Sequence, residues 1–395
     1  MKDILIRSLK KIHHSIPPQI RIIYMLVIDL ARKFRYYILP LYIYEGEEKA
    51  GGAPLKIAYL GWDSRIAVYF SERFLKEKYY THKKNMVLVW NVYKHFKKNR
   101  EDCDLVIVET NNFTENFAAK REGFVLPRWF EMRIHTDEFN NKLKKSDVAR
   151  RIRKHSLSYE KRYTIDDFRL FYHRMYIPFI KGRHRESAVL SDYKYLQRRF
   201  KNSGVHIGFI IKDGNPVAGS FTEIKDKNYR LTGMGVLDGR DDIMRMGVSG
   251  AIYYFEVRDC IEKGIESISI GGTSPFITDG LTQFKLSLGG QAEDIKFFIK
   301  QYEWFLFLKD SSALRNILKS NPFIHKINNH FYISVFVESA EYENKDDFIR
   351  FIKHTGCRNT KGTIINCLDN PEKIIKWIKE EGYQDIQVSR FNIEI

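Results

Sequence analysis

Residues 204–291 carry a punctuation that few folds can satisfy. VHIGFIIK at 205–212 alternates as a strand, Asp213-Gly214-Asn215-Pro216 follows, and PVAGSFTEI alternates again. Asp-Gly between two apolar alternations predicts a tight hairpin, because glycine takes the positive φ of the turn without steric cost. A second turn at Asp226-Lys227-Asn228 leads into YRLTGMGVL, a third strand. The polar loop GRDDIMRMGVSG then precedes a helical run, AIYYFEVRDCIEKG, closed by Gly264, and ESISIGGT reads as one more strand. A meander that ends in a helix and a further strand commits this stretch to a mixed α/β sheet with a helix packed on it.

The rest of the chain is read around that core. At 395 residues and 44% hydrophobic content, two or three compact units are expected. Residues 1–54 are expected to be two basic amphipathic helices around Pro17-Pro18 and a linker at 45–54; the second helix carries Ile20, Ile23, Tyr24, Val27, Ala31, Phe34, Ile38 and Leu41 at helical spacing. That helix packs on the protein body or lies on a membrane surface. Residues 55–145 alternate strand and helix, with 124–135 as one strand, and contain no glycine loop suited to a cofactor. Residues 146–300 form a second α/β unit, whose helical part places Phe168, Phe171, Tyr172 and Met175 on one face. Residues 301–395 add helices and a small β-α-β-α-β module.

Several chemistries find no support in the sequence. It has no GxxxxGK[ST] phosphate loop, no HExxH and no GxSxG elbow. The glycines of Gly233-Met234-Gly235-Val236-Leu237-Asp238-Gly239 follow a hairpin strand, not the first strand of a dinucleotide-binding unit. The histidines lack ligand spacing, so no metal is expected. The four cysteines lack CxxC spacing and lie in apolar runs, as small buried hydrophobes do in a cytoplasmic protein. A net charge of +17 favours polyanionic partners: RNA, anionic lipid headgroups or the phosphates of a nucleotide-linked substrate. Residues 142–162 hold nine Lys/Arg against two acids, and 181–201 hold seven against two, so two basic clusters are available to frame one anionic site.

The loop into the helix has the chemistry of an anion site: glycines that free backbone amides, then a helix N-terminus. It reads Arg245-Met246-Gly247-Val248-Ser249-Gly250-Ala251 and resembles the [RQ]xxGx[GA] pyrophosphate loop of GNAT-fold acyltransferases, although its arginine stands two places before Gly247 where the family has three. The segment GGTSPFITDGLTQFKLSLGGQ resembles the closing motif of the Fem-like branch (FemAB-like and BioF2-like acetyltransferases). The pattern near FKxxFGG stands here as Phe284-Lys285-Leu286-Ser287-Leu288-Gly289-Gly290, with Leu288 at a position where an aromatic is common. The S…RRxIRK segment of that branch is matched by Ser146 and Arg150-Arg151-Ile152-Arg153-Lys154, and FYxxMYxPxxxxRH by 171–184. The resemblance spans roughly 55–300 and is strongest from 146 onward.

It implies tandem GNAT-like units, the first degenerate, and an N-acyltransferase. Acetyl-CoA is the implied donor, held by Arg245, Gly247, Ser249, Gly250 and Ala251. The acceptor is an amine on a sugar or cell-envelope precursor, soluble or lipid-linked. Lys285 is implied at the reacting centre as a fixed cation, Tyr253 or Tyr254 as proton donor to a thiolate, and Glu223 as general base. Arg183 and His184 suit a phosphate on the acceptor, with Thr273 and Ser274 lining the cleft. Two other readings stay open: a Fem-type aminoacyltransferase that uses aminoacyl-tRNA, and a catalytically silent binding protein at a membrane surface.

Overall fold

The computed structural model describes residues 35–77, 79–99, 103–115, 117, 123–137, 147–184, 190–225, 227–293, 301–327, 330–354 and 362–392. The expected helices before residue 35 lie outside them. The chain forms two units, one of Met1–Leu126, Phe297–Ser320 and Asn392–Ile395, the other of Pro127–Lys296 and Asn321–Phe391. A serial division at 55, 146 and 301 is therefore corrected: the chain leaves the first unit, builds most of the second, and returns to the first before completing the second. Among the described residues no helix is long and apolar enough to cross a membrane.

In chain order the first unit contains β1 (Ile38–Glu47), β2 (Pro54–Leu60), α1 (Ser64–Phe74), β3 (Tyr79–Leu88), α2 (Val92–Asn99), β4 (Leu105–Asn111) and β5 (Phe124–Pro127). Its sheet runs β3-β1-β2-β4-β13-β5, where β13 (Gln301–Phe307) comes from far along the chain and pairs antiparallel with β4. The expected helix through Ile38 and Leu41 is a strand. Pro40 removes an N–H that a helix interior requires, and Leu39, Leu41 and Ile43 bury into the core of this unit. The expected linker at 45–54 is the end of β1, a turn and the start of β2. The buried Glu48 carboxylate holds that turn by accepting the Gly51 amide at 2.6 Å. Where the chain turns into α1, the Trp62 and Asp63 amides donate to the buried Glu109 carboxylate at 2.5 and 3.3 Å. That turn has filled its donors with the protein's own anion.

The expected single strand over 124–135 divides at Arg128-Trp129, just after Pro127. β5 stays in the first sheet, and β6 (Phe130–His135) joins the second. The second unit continues with α3 (Asp147–Lys154), β7 (Ser158–Arg162), α4 (Ile165–Leu170), a π-helical segment Phe171–Tyr176, α5 (Ile177–His184) and α6 (Tyr193–Phe200). Phe168, Phe171, Tyr172 and Met175 share one buried cluster, as their spacing predicts. The meander follows as β8 (Val205–Lys212), β9 (Asn215–Lys225) and β10 (Asn228–Val236), then α7 (Asp241–Arg245), α8 (Val248–Glu262), β11 (Ser267–Thr273), α9 (Gly280–Ser287) and β12 (Gln291–Glu293). The sheet order is β12-β6-β11-β10-β9-β8-β7; β7 to β10 are antiparallel, and β10 meets β11 in parallel across α8. The meander, its helix and the parallel strand β11 are those expected from the sequence, and β6 and β12 extend the sheet beyond them.

After β13 come α10 (Ser312–Ser320) of the first unit, then β14 (Phe323–Ile327), β15 (His330–Val337), α11 (Lys345–His354), β16 (Thr363–Cys367), α12 (Glu372–Glu380) and β17 (Ile386–Arg390). β15, β16 and β17 are parallel with helical crossovers, the β-α-β-α-β module expected here, and β14 adds an antiparallel edge. This small sheet belongs to the second unit and shares its core: Ile333, Val335 and Ile365 are in one cluster with Ile252, Val257 and Ile268. Cys103, Cys260 and Cys367 are buried, and Cys357 lies outside the described residues.

Candidate functional site

The N-terminus of α8 is built to leave donors open. Gly247, the residue before the helix, has φ +86°, a conformation that L side chains rarely adopt. A Cβ there would also lie 2.7 Å from Arg151 Cδ, so the bare backbone lets this arginine lie along the loop. No side chain caps the first turn of α8. Arg151 reaches over from α3; its Nη1 donates to the Arg245 carbonyl at 3.1 Å and its Nε to Asp147 at 2.7 Å. A cavity of about 560 Å³ opens here, lined by Arg151, Arg183, Gly247, Ser249, Gly250 and Tyr253 among others. Arg183 stacks over the Phe179 ring at 4.9 Å and pairs with no carboxylate among the described residues. An uncapped helix N-terminus with two guanidinium groups around it favours an anion by geometry and by charge.

From α9, Leu281 and Phe284 complete the wall of this cavity, and the Phe284 ring lies 5.6 Å from that of Tyr253. Asp279 caps α9 by accepting the Leu281 and Thr282 amides at 3.0 and 3.1 Å, a contribution of about 1 kcal/mol. The residue after Phe284 is Lys285, which is 3% exposed. Its Nζ donates to the carbonyls of Gly271 and Gly272 at 3.0 and 2.9 Å. Both carbonyls lie at a β-bulge. β11 pairs with β6 at Ser269↔Arg133 and again at Gly272↔Glu131, so it spends one residue more than its partner, and Gly271 takes φ +80° there. On its other edge β11 pairs with β10 only at Tyr229↔Ile268 and Arg230↔Ser269, although both strands run on. The lysine thus sits where the two parallel strands part. Burial pushes its amine down to about 7, against the opposing pull of the Asp279 and Glu131 carboxylates.

The other residues singled out from the sequence are placed as follows. Gly247, Ser249, Gly250 and Arg183 line the cavity. Arg245 is at the exposed end of α7 with its side chain off the cavity wall, and Ala251 is buried in the core. Tyr253 faces the cavity, and burial pushes its hydroxyl pKa up. Tyr254, one helical step on, lines a different cavity of about 430 Å³ with Tyr159, Lys161 and Asp259. Glu223 is engaged in an ion pair with Arg199. Thr273 and Ser274 are buried: the Thr273 and Thr282 hydroxyls share a 2.6 Å hydrogen bond, and the Ser274 carbonyl accepts from Thr282 at 3.0 Å. They tie β11 to α9. His184 ends α5, and its side chain lies outside the described positions.

Sequence reasoning missed the charged floor beneath α8. Glu256, fully buried, accepts from Ser220 at 2.5 Å, Tyr229 at 2.6 Å and Thr222 at 2.7 Å. The Tyr229 hydroxyl also lies 2.7 Å from Asp259, which Lys161 and Lys263 neutralise. Burial works to raise the Glu256 carboxyl, but hydrogen bonds from His206, Ser220 and Tyr229 outweigh it and hold the group below the usual range. Glu256 and Asp259, three residues apart on a helix that also carries Arg258 and Glu262, were the available signal. Arg151 was also legible, in the RRxIRK motif, but not as part of the loop it embraces.

No family model matches this chain, and no curated protein matches it. Among solved structures, FemX is 11% identical over 65% of this chain and 83% of its own, with a TM-score of 0.33. A GCN5-related N-acetyltransferase from Sphaerobacter thermophilus is 10% identical over 68% and 76%, with a TM-score of 0.30. Another, from Kribbella flavida, is 6% identical over 76% and 64%, with a TM-score of 0.26.

Proposed function

We propose that this chain is an N-acyltransferase that moves an acyl group from an acyl-CoA thioester, acetyl-CoA first among them, to a primary amine. The observation that carries the reading is the uncapped N-terminus of α8, opening with Arg151 and Arg183 into one cavity, which suits a pyrophosphate. Transfer requires the amine nitrogen to bond the acyl carbon and the C–S bond to break, with a proton passing from nitrogen to the departing sulfur. Lys285 suits that proton. With its pKa near 7 it is not the fixed cation implied by the motif, and its neutral form can take the proton from nitrogen while its charged form can return it. Tyr253 is the tyrosine on the donor cavity, and Tyr254 is not.

The test is calorimetric titration of the full chain with CoA and acetyl-CoA. Micromolar binding that weakens in Arg183→Ala supports the reading. No binding of either, with salt-sensitive binding of charged tRNA instead, replaces it with the aminoacyl-tRNA reading, for which the exposed cations of α3 provide the chemistry.

A further inference from the structure

The short helix α3 stands between two cavities. Successive helical residues turn by about 100°, so Asp147 and Arg151 fall on one flank and Ala149 and Arg153 on the other. The first flank lines the donor cavity; the second lines the cavity of about 430 Å³, together with β7 and the later turns of α8. Between the flanks α3 packs closely on α8, with Val148 Cγ2 3.0 Å from where a Cβ on Gly250 would lie. Acyl transfer leaves the second cavity unused, and its volume is within the range of roughly 300–1,000 Å³ that small-molecule sites occupy. One part of its wall is aromatic. The Tyr159 and Phe255 rings lie 5.4 Å apart and within 10° of parallel, and Tyr254 meets Phe255 edge-on at 5.4 Å. All three are only half-buried, which leaves ring surface open at the cavity. The other part is charged. Lys161 and Lys263 neutralise Asp259, and Glu262 stands 3.5 Å from Arg258, whose guanidinium also lies 5.9 Å from the centre of the Tyr254 ring. Arg153 is exposed and pairs with no carboxylate among the described residues. Cations therefore outnumber carboxylates here, and both guanidinium groups border the same aromatic surface.

We infer that this cavity binds a nucleoside monophosphate, its base against Tyr254 and Phe255 and its phosphate on Arg153 and Arg258. An aromatic platform accepts any planar base, and guanidinium groups match phosphate oxygens with paired hydrogen bonds. The Arg258–Glu262 pair is exposed on both sides and is worth little, so a phosphate can share that guanidinium at small cost. The inference stands apart from the acyltransferase reading, because it uses neither the donor cavity nor Lys285.

Calorimetric titration of the full chain, with no CoA present, decides it. The probes are AMP and CMP, their nucleosides adenosine and cytidine, and inorganic phosphate. At least one nucleotide should bind tenfold or more tighter than its nucleoside and than phosphate. Arg153→Ala should weaken that nucleotide to the level of its nucleoside, and Tyr254→Leu should weaken nucleotide and nucleoside alike. Arg153 is exposed on a helix, where alanine is well tolerated, and native circular dichroism checks that the variant folds. Arg183→Ala, on the donor cavity, should leave nucleotide affinity unchanged. Failure of both nucleotides to bind the unaltered protein overturns the site, as does equal affinity for nucleotide and nucleoside. Binding that survives Arg153→Ala but falls in Arg183→Ala also overturns it, by placing the nucleotide in the donor cavity. Because CoA takes no part, each outcome holds whether or not the donor assignment does.

Discussion

The Nζ of Lys285 lies 2.9 Å from the carbonyl oxygen of Gly272, and no carboxylate shares that hydrogen bond. Two carbonyl dipoles support an ammonium less well than a carboxylate does, so burial prevails and the amine titrates near neutrality. The fold arranges this with one residue: the bulge at Gly271 turns successive carbonyls toward the same nitrogen where β10 and β11 separate.

Lys285→Met should lower amine-dependent thiol release from acetyl-CoA by about 10²–10³, the usual cost of one preorganised polar group in a transition state. In the unaltered protein the rate should rise through about pH 7 as the amine loses its proton and then level off. An unchanged rate in the variant, or a profile without that inflection, removes Lys285 from the chemistry.

The same group makes a stability prediction of definite sign. Its pKa falls from 10.5 to about 7 on folding, so between those values the unfolded chain holds a proton that the folded one has released. The burial cost is therefore fully present below pH 7 and fades as pH rises, with a slope of at most about 1.4 kcal/mol per unit. The urea midpoint of the unaltered protein should gain on that of Lys285→Met between pH 7 and 10; parallel curves refute the assignment.

Much of this was written locally. The hairpins and the α8–β11 connection follow from turn residues and spacings within 204–291, whereas Lys285 was singled out by the resemblance of 284–290 to a Fem-like closing motif. What was not legible depends on register between distant segments. Glu131 reaches Gly272 only because β6, over a hundred residues upstream, pairs with β11 through a one-residue slip, and no pattern in either strand specifies that partner. Tyr253 and Tyr254 are indistinguishable in sequence, and one helical step of about 100° sends them to different cavities. Glu48, in turn-rich sequence, and Glu109, near the end of β4, carry charges that suggest solvent, but the first closes a hairpin and the second fills the amides ahead of α1.

Tyr229→Phe should destabilise the second unit by about 1–3 kcal/mol, because the lost hydroxyl leaves Glu256 and Asp259 facing each other without the group between them. Chemical denaturation reads the loss directly. A neutral result would mean that one of the two carboxyls carries a proton which takes over the bridge.

The C-terminal sheet carries a second pH signature, at acid pH. His325 on β14 is 3% exposed, its Nε2 lies 3.0 Å from the Ser334 hydroxyl, and the Phe323 ring packs 6.0 Å away. Burial pushes the imidazole from 6.5 down to about 3. Between those values the unfolded chain binds a proton that the folded one refuses, so stability falls as pH drops below 6.5, by at most about 1.4 kcal/mol per unit. His325→Gln keeps a hydrogen-bonding side chain for Ser334 and removes the titration. The variant should start less stable at pH 8, because a buried ring is lost, and then lose less than the unaltered protein on acidification to pH 4.5. Urea midpoints at half-unit steps measure both slopes, and equal slopes would place the acid sensitivity of this sheet elsewhere.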